Sequence, residues 1–442
     1  MKSQVAAVVI VAAIASFCAH AQRQDSVQGM QSAYGIIDTI IVAGNEKTRD
    51  YVIRDEMTLK PGSVATYELM EYDKGRIYSL GLFTRVDIEY YKLDSLRLLY
   101  VDVRERWYIL PVPIFGFRDG DPKKPFYGAG LLYNNFRGCN QRLSASIVFG
   151  YDPSVAFSFF DPLIDREKNL YFSGNLSSSK VRNRSDVEAA LTGNFDERHY
   201  DINATVGRRL SLYETGGVNL GYHIVDVSLY RQGRTASTSG HDAYLYGTLD
   251  YTYDSRDLRE YATSGQFASF YITKYGFGDA DLNFTRFGAD IRHYFPLPLN
   301  LSLATRAYGT IVSGSFIPTY ARAYLGYGER VRGYFNTVFE GENLAGASVE
   351  LRYSLLKART IVFSAIPMPE EFSIWRFGIS LALFADAGRT WFRKDVLTFS
   401  SFASGYGGGI HFLLPYGYVM RVEYAFNDYF KGQFILDLKT SI

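Results

Sequence analysis

Residues 348–355 read Ser-Val-Glu-Leu-Arg-Tyr-Ser-Leu, with an apolar side chain at every second position and a polar or charged one between. Residues 418–426, Tyr-Val-Met-Arg-Val-Glu-Tyr-Ala-Phe, place Arg421 and Glu423 on the face opposite the outer aromatic residues. Residues 201–207 and 301–309 alternate less strictly. A period of two indicates β-strands. Strands that are apolar on one face and ionisable on the other are typical of a membrane barrel with a wet lumen.

The composition supports this interpretation. Of 442 residues, 16% are aromatic, including 36 Tyr and 32 Phe, and such an excess suits the two aromatic girdles of a membrane barrel. Beyond the N-terminus there is no run of about eighteen uncharged apolar residues, which excludes helical spans. A soluble sandwich of alternating strands is the alternative, but it would enclose its apolar face and explains the aromatic excess less well. With 47 Lys and Arg against 46 Asp and Glu, the chain lacks the basic excess of a nucleic-acid binder.

The first 21 residues have the pattern of a cleaved secretory signal. Lys2 precedes an apolar stretch over residues 5–15, and the small-x-small sequence Ala-His-Ala ends at Ala21. Cleavage is therefore predicted between Ala21 and Gln22. It would leave Cys139 as the only cysteine, so no intramolecular disulfide can form. Residues 22–35 are predicted to be a linker.

Residues 36–106 predict a separate small α/β domain with its own core. Its elements follow the order β-α-α-β-β: a strand over 36–42, a helix capped by Thr48 and carrying Met57, a helix over 68–80, and strands over 86–90 and 96–101. The blocks that follow resemble a polypeptide-transport-associated (POTRA) domain: Val-Ala-Gly-Asn-Glu-Lys-Thr at 42–48, 52–57, Leu-Lys-Pro-Gly at 59–62 and Leu-Gly-Leu-Phe-Thr-Arg-Val at 80–86. One such unit is present. The remainder, residues 107–442, suffices for about sixteen strands at roughly 20 residues per strand and connection, with twelve or fourteen as alternatives.

Residues 326–334, Gly-Tyr-Gly-Glu-Arg-Val-Arg-Gly-Tyr, form a glycine-rich loop between strand patterns. The four residues Val331, Arg332, Gly333 and Tyr334 are its central motif. A guanidinium offers five donors in a rigid fork that cannot deprotonate, which suits a carboxylate in a confined lumen. Gly333 lets the backbone turn tightly or approach the wall, and Tyr334 can pack there. The alternative is an ordinary exposed loop arginine.

Together with the POTRA-like blocks, this loop resembles the inward-folded sixth extracellular loop of the BamA/TamA outer-membrane assembly family, which includes the two-partner secretion transporters. Further similar blocks lie at 253–257 with 263–265, 346 with 349–353, 384–388, and 407–409 with 415–417. The resemblance implies that Arg332 pairs with an acid on the inner wall. Asp386 matches one such position, and Glu350, on the ionisable face of its strand, is the weaker candidate. The chain departs from the family pattern by ending on Ile442 rather than an aromatic residue.

The expected fold class is therefore mainly β: a transmembrane antiparallel β-barrel with one N-terminal periplasmic POTRA domain. The resemblance implies a cell outer-membrane protein that assists insertion or translocation of polypeptides. Its expected partners are outer-membrane lipid, unfolded or secreted polypeptide clients and periplasmic assembly partners, and not nucleic acid. Clients would add a strand to the POTRA sheet, and a weak seam would join a first strand near 126–133 to a last near 433–438. A two-partner-secretion-type transporter and a passive porin-like channel are the alternatives.

An enzyme is not expected. The mature histidines are scattered, outside any metalloprotease or hydrolase motif: His199, His223, His241, His293 and His411. No cysteine and histidine spacing indicates a metal site, and no phosphate loop is visible. We therefore predict no catalytic residues, no cofactor and no metal.

Overall fold

The computed structural model describes residues 33–438 except 119–122, 278–281, 315, 363–373, 396–397 and 399–400. The predicted signal peptide with its cleavage site at Ala21 and Gln22, most of the linker and the terminal Ile442 lie outside the described residues.

The N-terminal domain is built in the predicted order, with one extra short strand pair. Its elements are β1 (Gly35–Ile36), β2 (Thr39–Ala43), α1 (Asp50–Arg54), β3 (Val64–Ala65), α2 (Tyr67–Tyr78), β4 (Phe83–Leu93) and β5 (Leu96–Glu105). The main sheet has the order β2-β5-β4, with β2 parallel and β4 antiparallel to β5. The helix α2 begins at a side-chain cap, because the Thr66 hydroxyl accepts a hydrogen bond from the Leu69 amide.

The prediction that Thr48 caps the first helix is wrong. The helix α1 begins after Arg49 with no side-chain cap, and it ends at Arg54, before Met57. The Thr48 hydroxyl instead donates to Glu105 at 2.6 Å, and the Thr48 amide donates to the same oxygen at 2.7 Å. Thr48 therefore binds the carboxylate at the end of β5 and does not cap α1.

The described residues from 109 to 438 form mainly one antiparallel sheet of sixteen strands, which confirms the predicted fold class and strand number. Its strands are β6 (Ile109–Phe117), β7 (Pro125–Phe136), β8 (Gln141–Gly150), β9 (Ser154–Asp165), β10 (Leu170–Arg182), β11 (Asp196–Arg209), β12 (Glu214–Val227), β13 (His241–Asp254), β14 (Gly265–Tyr275), β15 (Phe284–Leu297), β16 (Leu301–Gly314), β19 (Asn343–Val362), β20 (Ile374–Trp391), β21 (Ala403–Leu413), β22 (Val419–Asn427) and β23 (Gly432–Leu438). Neighbours in the chain are neighbours in the sheet. A short helix, α3 (Asp186–Thr192), lies between β10 and β11, and a small hairpin of β17 (Ala323–Leu325) and β18 (Phe339–Gly341) lies between β16 and β19.

The first strand of the sheet was predicted one strand too late. The sheet begins with β6, and residues 126–133 belong to its neighbour β7. Pro111 and Pro113 interrupt the strand pattern of β6. Proline has no N–H for a ladder, so it is tolerated on an edge strand. In the described part of the chain, β6 pairs with β7 alone and forms one end of the sheet order, with β23 at the other.

The apolar face of the sheet is the exposed one. On β19, Glu350 and Arg352 are 0% and 1% exposed, whereas Leu355 is 60% exposed. Leu220 and Leu383, on the outer face of β12 and β20, are 63% and 64% exposed. A soluble sandwich would bury these side chains, so the outward apolar face supports a lipid-facing barrel wall. Within the described segments, no helix is long and apolar enough to cross a bilayer.

One end of the barrel surrounds the N-terminal domain. Three turns and two strand ends, spread around the sheet, contact this domain through Gly138, Arg166, Arg209, Asp257 and Arg376. The buried cluster of the domain also contains barrel residues, namely Leu258, Tyr261, Leu413 and Val419. The expectation that the domain and the barrel have separate cores is therefore wrong, because one turn and two strand ends of the barrel supply part of the same apolar cluster.

The helix α2 makes the closest approach between the two parts. A Cβ added at Gly75 would lie 2.3 Å from the Asp257 carbonyl oxygen. The Tyr72 hydroxyl donates to the Ser255 carbonyl at 2.9 Å. Arg76 donates to Glu56 at 2.8 Å and to the Leu212 carbonyl at 3.1 Å. A glycine in mid-helix thus allows the helix backbone to rest on the turn.

Gly75→Ala should loosen this joint. Alanine favours an isolated helix by about 1 kcal/mol over glycine, but here its methyl group would collide with the Asp257 carbonyl. We expect a lower thermal midpoint of the full chain and faster proteolysis between the domain and the barrel. Glu71→Ala, at an exposed position of the same helix, is the matched control. A higher midpoint in Gly75→Ala would show that the helix does not rest on the turn.

Candidate functional site

The segment between β16 and β19, described over residues 316–342 and called the inward loop here, folds into the barrel. Val331 is 2% exposed and packs with Leu325 and Leu344 in one apolar cluster. On the facing wall, a Cβ at Gly388 would lie 2.8 Å from a Val331 methyl group. The motif at 331–334 therefore lies against the inner wall and is not an exposed surface loop.

Arg332 is 4% exposed and contacts both predicted wall partners. Its Nε and Nη2 atoms donate to the two oxygens of Asp386, each at 2.7 Å, and its backbone amide donates to Asp386 at 3.1 Å. Nη1 donates to Glu350 at 2.6 Å and to Glu423 at 3.1 Å. The guanidinium carbon lies 3.6 Å from the centre of the Phe384 ring. One cation on the loop thus binds carboxylates from three strands, β19, β20 and β22.

Strand register places these acids together. Glu350 pairs with Phe384, and Ser348 pairs with Asp386, so the two acids face the lumen from adjacent strands. Glu423 lies two strands further on, opposite Gly409. Between them, β21 contributes a run of glycines at 407–409. A Cβ at Gly409 would lie 2.7 Å from Glu423 Cγ, so small residues make room for the acidic side chains.

The loop backbone also needs a glycine on this wall. A Cβ added at Gly405 would lie 1.5 Å from the Arg332 carbonyl oxygen. Gly333 has a φ of +98°, in the region that favours glycine, and its missing Cβ would lie 2.7 Å from the Phe426 carbonyl. These two glycines let the loop main chain lie on the wall while Arg332 reaches the acids.

More charged residues surround the three acids. Arg352 Nε donates to Glu350 at 2.7 Å, and Arg421 Nη1 donates to Glu423 at 2.9 Å. His411 lies between Glu423, at 3.0 Å from its Nε2, and the Tyr261 hydroxyl, at 2.9 Å from its Nδ1.

Glu350, His411 and Glu423 bring their ligand atoms within 4.8 Å of one another, a spacing that could hold a metal ion. Here the carboxylates already bind Arg332 and Arg421. The positive charge in this cluster comes from guanidinium groups, and we assign no metal to it.

Tyr334 and the residue after the motif, Phe335, contact the last two strands and the turn between them. The Tyr334 hydroxyl is hydrogen-bonded to Asp428, and its ring packs edge-on against Phe339 with centroids 5.5 Å apart. The Phe335 amide donates to the side chain of Gln433, on β23, at 2.9 Å. The inward loop therefore connects β19 and β20 with β22 and β23.

A second ion pair, with the acid on the loop and the arginine on the wall, holds the loop just before the motif. Glu329, on the loop, accepts two hydrogen bonds of 2.8 Å from Arg306 on β16. Arg306 also donates to Asp290 on β15 at 3.0 Å and 2.9 Å. The loop thus presents an acid to a wall arginine and, three residues later, an arginine to wall acids.

Arg332, Asp386 and Glu350 were predicted from the sequence to interact, and the structure brings the three together. Glu423, Glu329 and the surrounding residues were not among the predicted site residues. Glu423 carried a usable signal, because it lies on the ionisable face of the alternating stretch at 418–426. Glu329 lies within the glycine-rich loop at 326–334. Its contact with Arg306 could not be predicted, because sequence spacing does not show which wall residue faces it.

Comparison with known proteins gives the family. The Omp85 superfamily domain matches residues 135–434, and the POTRA family, described as a surface antigen variable number repeat, matches residues 35–106. The chain belongs to the Omp85 superfamily. This confirms the predicted relationship to the BamA/TamA-type proteins and the POTRA identity of the N-terminal domain.

Solved structures agree at the level of the fold. BamA from Haemophilus ducreyi, lacking POTRA domains 1–3, has a TM-score of 0.54 and 15% identity over 92% of this chain and 84% of that chain. CdiB from Escherichia coli has a TM-score of 0.53 and 14% identity over 92% of this chain and 75% of that chain. The Omp85 match implies a barrel in the outer membrane with its POTRA domain in the periplasm.

We expect Arg332 and Asp386 to act as one unit. Arg332→Ala leaves three carboxylates without their shared cation, and breaking a buried pair costs about 3–5 kcal/mol, less where luminal water enters. Asp386→Asn should mimic it in thermal unfolding of the detergent-solubilised barrel. The double variant should be no worse than either single variant, because coupled neighbours are not additive. Arg332→Lys should restore only part of the loss. Additive effects would show that the two residues act independently.

Gly405→Ala should displace the loop while every charge remains. The added methyl group would occupy the position of the Arg332 carbonyl, so we expect the loss in thermal stability to resemble that of Arg332→Ala. Gly216→Ala on β12 is the control, because its nearest atom would lie at an ordinary 3.5 Å. Equal stability of the two glycine variants would contradict the close contact between the loop and β21.

Proposed function

We propose that this Omp85 protein inserts or translocates polypeptides at the outer membrane by opening the seam between β6 and β23. The observation that carries the proposal is the inward loop, which binds Glu423 on β22 through Arg332 and Gln433 on the seam strand β23 through the Phe335 amide. Within the described residues, no ladder joins β6 to β23. The loop therefore supports one side of a gap that can open without loss of the barrel.

The composition of β6 supports an opening at this place. Two of its nine residues are Pro111 and Pro113, and proline in an edge strand directs its missing N–H away from the paired neighbour. The free edge of β6 therefore offers fewer donors than an ordinary strand. Either β23 or an incoming client strand gains fewer backbone hydrogen bonds at this edge, so one strand can replace the other.

The POTRA domain presents a sheet edge beside a cleft, which supports a role in client binding. Its strand β4 is an edge of the three-stranded sheet, and a cleft of about 1170 Å³ lies between α2, β4 and the barrel turns. Tyr72, Lys74 and Asp87 line the domain side, and Leu356 and Lys357 line the barrel side. An extended polypeptide can add to such an edge through main-chain hydrogen bonds, with its side chains in the cleft. We propose unfolded or secreted polypeptides as the clients.

The two alternatives differ in what they explain. A two-partner-secretion-type transporter is compatible with the fold, which CdiB shares. A passive porin-like channel does not account for a loop bound across the lumen wall or for a domain packed into the barrel end. We also propose that the chain works without catalysis, since the three buried acids beside the inward loop all pair with Arg332.

A crosslink across the seam should stop client handling. In a Cys139→Ser background, single cysteines along β6 are combined with single cysteines along β23, and the pair that oxidises most completely is reconstituted in lipid vesicles. We expect the oxidised protein to lose insertion of a urea-unfolded barrel client, measured by protease protection, and to regain it on reduction.

The matched control joins Asn219 and Thr248, which are direct register partners on β12 and β13. Crosslinking this permanently paired ladder should leave the insertion rate unchanged. Full insertion by the oxidised seam variant would exclude lateral opening. Equal inhibition by both crosslinks would show a general effect of oxidation.

A further inference from the structure

Two histidines form a pair on the lumen wall, away from the inward-loop acids. His199 on β11 and His223 on β12 bring Nδ1 of the first within 3.1 Å of Nε2 of the second. The register pairs His223 with Asp201, two residues along β11 from His199, so the rings lie diagonally on the same face of one hairpin. Their separation in the sequence hides this proximity, because only the strand register creates it.

The outer nitrogen of each ring faces a carboxylate. Nε2 of His199 lies 3.3 Å from Glu197, and Nδ1 of His223 lies 3.3 Å from Asp201. Asp201 is itself fixed, because it accepts hydrogen bonds from Asn203 and from the Tyr246 hydroxyl at 3.0 Å. A histidine that donates its other N–H to a carboxylate is the usual arrangement of a metal-binding histidine.

The inner nitrogens form a cation site when both rings donate their N–H to the outer carboxylates. A neutral imidazole has one N–H. If both rings donate that N–H to their carboxylates, the two facing nitrogens both present lone pairs at 3.1 Å, which repel unless a proton or a metal ion bridges them. Two nitrogens bound at 2.0–2.1 Å in a tetrahedral zinc site lie roughly 3.3 Å apart. The observed spacing is close to that value.

The surroundings suit a small divalent cation. Two carboxylates and two neutral imidazoles carry a net charge of minus two, which a divalent ion balances. The side chains of His199 and His223 are 20% and 23% exposed, so water can complete the coordination. Tyr244 stacks on His223 with centroids 5.5 Å apart, and Tyr320 from the inward loop lies edge-on to His199 at 6.3 Å. These rings hold both imidazoles in place.

We propose that His199 Nδ1 and His223 Nε2 bind a divalent transition-metal ion of the zinc type, with Glu197 and Asp201 orienting the two ligands. The site lies where Tyr320 of the inward loop meets β11 and β12. A bound ion would stiffen the hairpin of β11 and β12 beside the loop. This metal site shares no residue with the seam or with the arginine cluster.

Zinc titration of the tag-free full chain in detergent tests the proposal. We expect calorimetry to show one saturable zinc ion per chain, lost in His199→Gln and in His223→Gln. Glu197→Gln and Asp201→Asn should weaken zinc binding about 10–100-fold, the usual effect of removing an orienting partner. The control is His241→Gln, since the His241 side chain lies 2.6 Å from Asp226 and is 54% exposed.

The outcomes separate this site from its alternatives. Absence of saturable binding in the wild-type chain would overturn the proposal and leave a shared proton between the rings. Binding that survives both histidine substitutions, or falls equally in His241→Gln, would indicate a surface ion and overturn it as well. Heat-dependent gel migration checks that each variant folds. X-ray absorption of the wild-type protein with bound zinc is a test that does not depend on the variants. It must show two imidazole ligands, and fewer would overturn the proposal.

Discussion

A guanidinium that cannot lose its charge lies inside the barrel, and the structure around the inward loop depends on satisfying it. Arg332 is 4% exposed, and such a cation is costly to bury unless it is paired and fully hydrogen-bonded. Asp386, Glu350 and Glu423 supply that pairing from three different strands. With Arg352 and Arg421, the cluster sets three arginines against three carboxylates. The position of the loop and the arrangement of β19, β20 and β22 are therefore mutually dependent.

Such a cluster penalises alternative strand registers. Desolvation of buried charges offsets much of their attraction, but a wrong register would be severely penalised. A slip of one residue in β19 or β22 would turn Glu350 or Glu423 to the outer face, and it would expose the neighbouring arginine there too. A basic residue facing the bilayer midplane of a barrel costs about 2–4 kcal/mol. The arginine cluster thus fixes the register of β19 and β22.

The sequence predicted what is local or carried by the family resemblance. Strand alternation over 348–355 and 418–426 is local, and it indicated which faces meet lipid and lumen. The motif at 331–334 and its partner Asp386 came from the family resemblance.

The features that the sequence missed depend on contacts between distant residues. Glu423 and the pair of His199 with His223 depend on which strands become neighbours, and spacing in one sequence does not show this. The shared core of the two domains depends on docking, and Thr48 was misread because Glu105, distant in sequence, competes for its hydroxyl. The prolines of β6 concealed an edge strand, where they are tolerated.

The number of paired residues in each strand ladder indicates where the barrel opens most easily. Opening between β12 and β13 would break a ladder of thirteen residue pairs, whereas β22 and β23 share seven. Even that short ladder is reinforced, because Arg421 binds Asp437 across it at 2.7 Å and the inward loop holds Gln433. Both ends of the lumen are also occupied, one by the POTRA domain and one by the loop. The free edges of β6 and β23 are the places where the fewest described interactions oppose separation. In the proposed mechanism, a polypeptide that enters from the cleft beside the POTRA domain therefore meets the least resistance on a lateral route into the membrane.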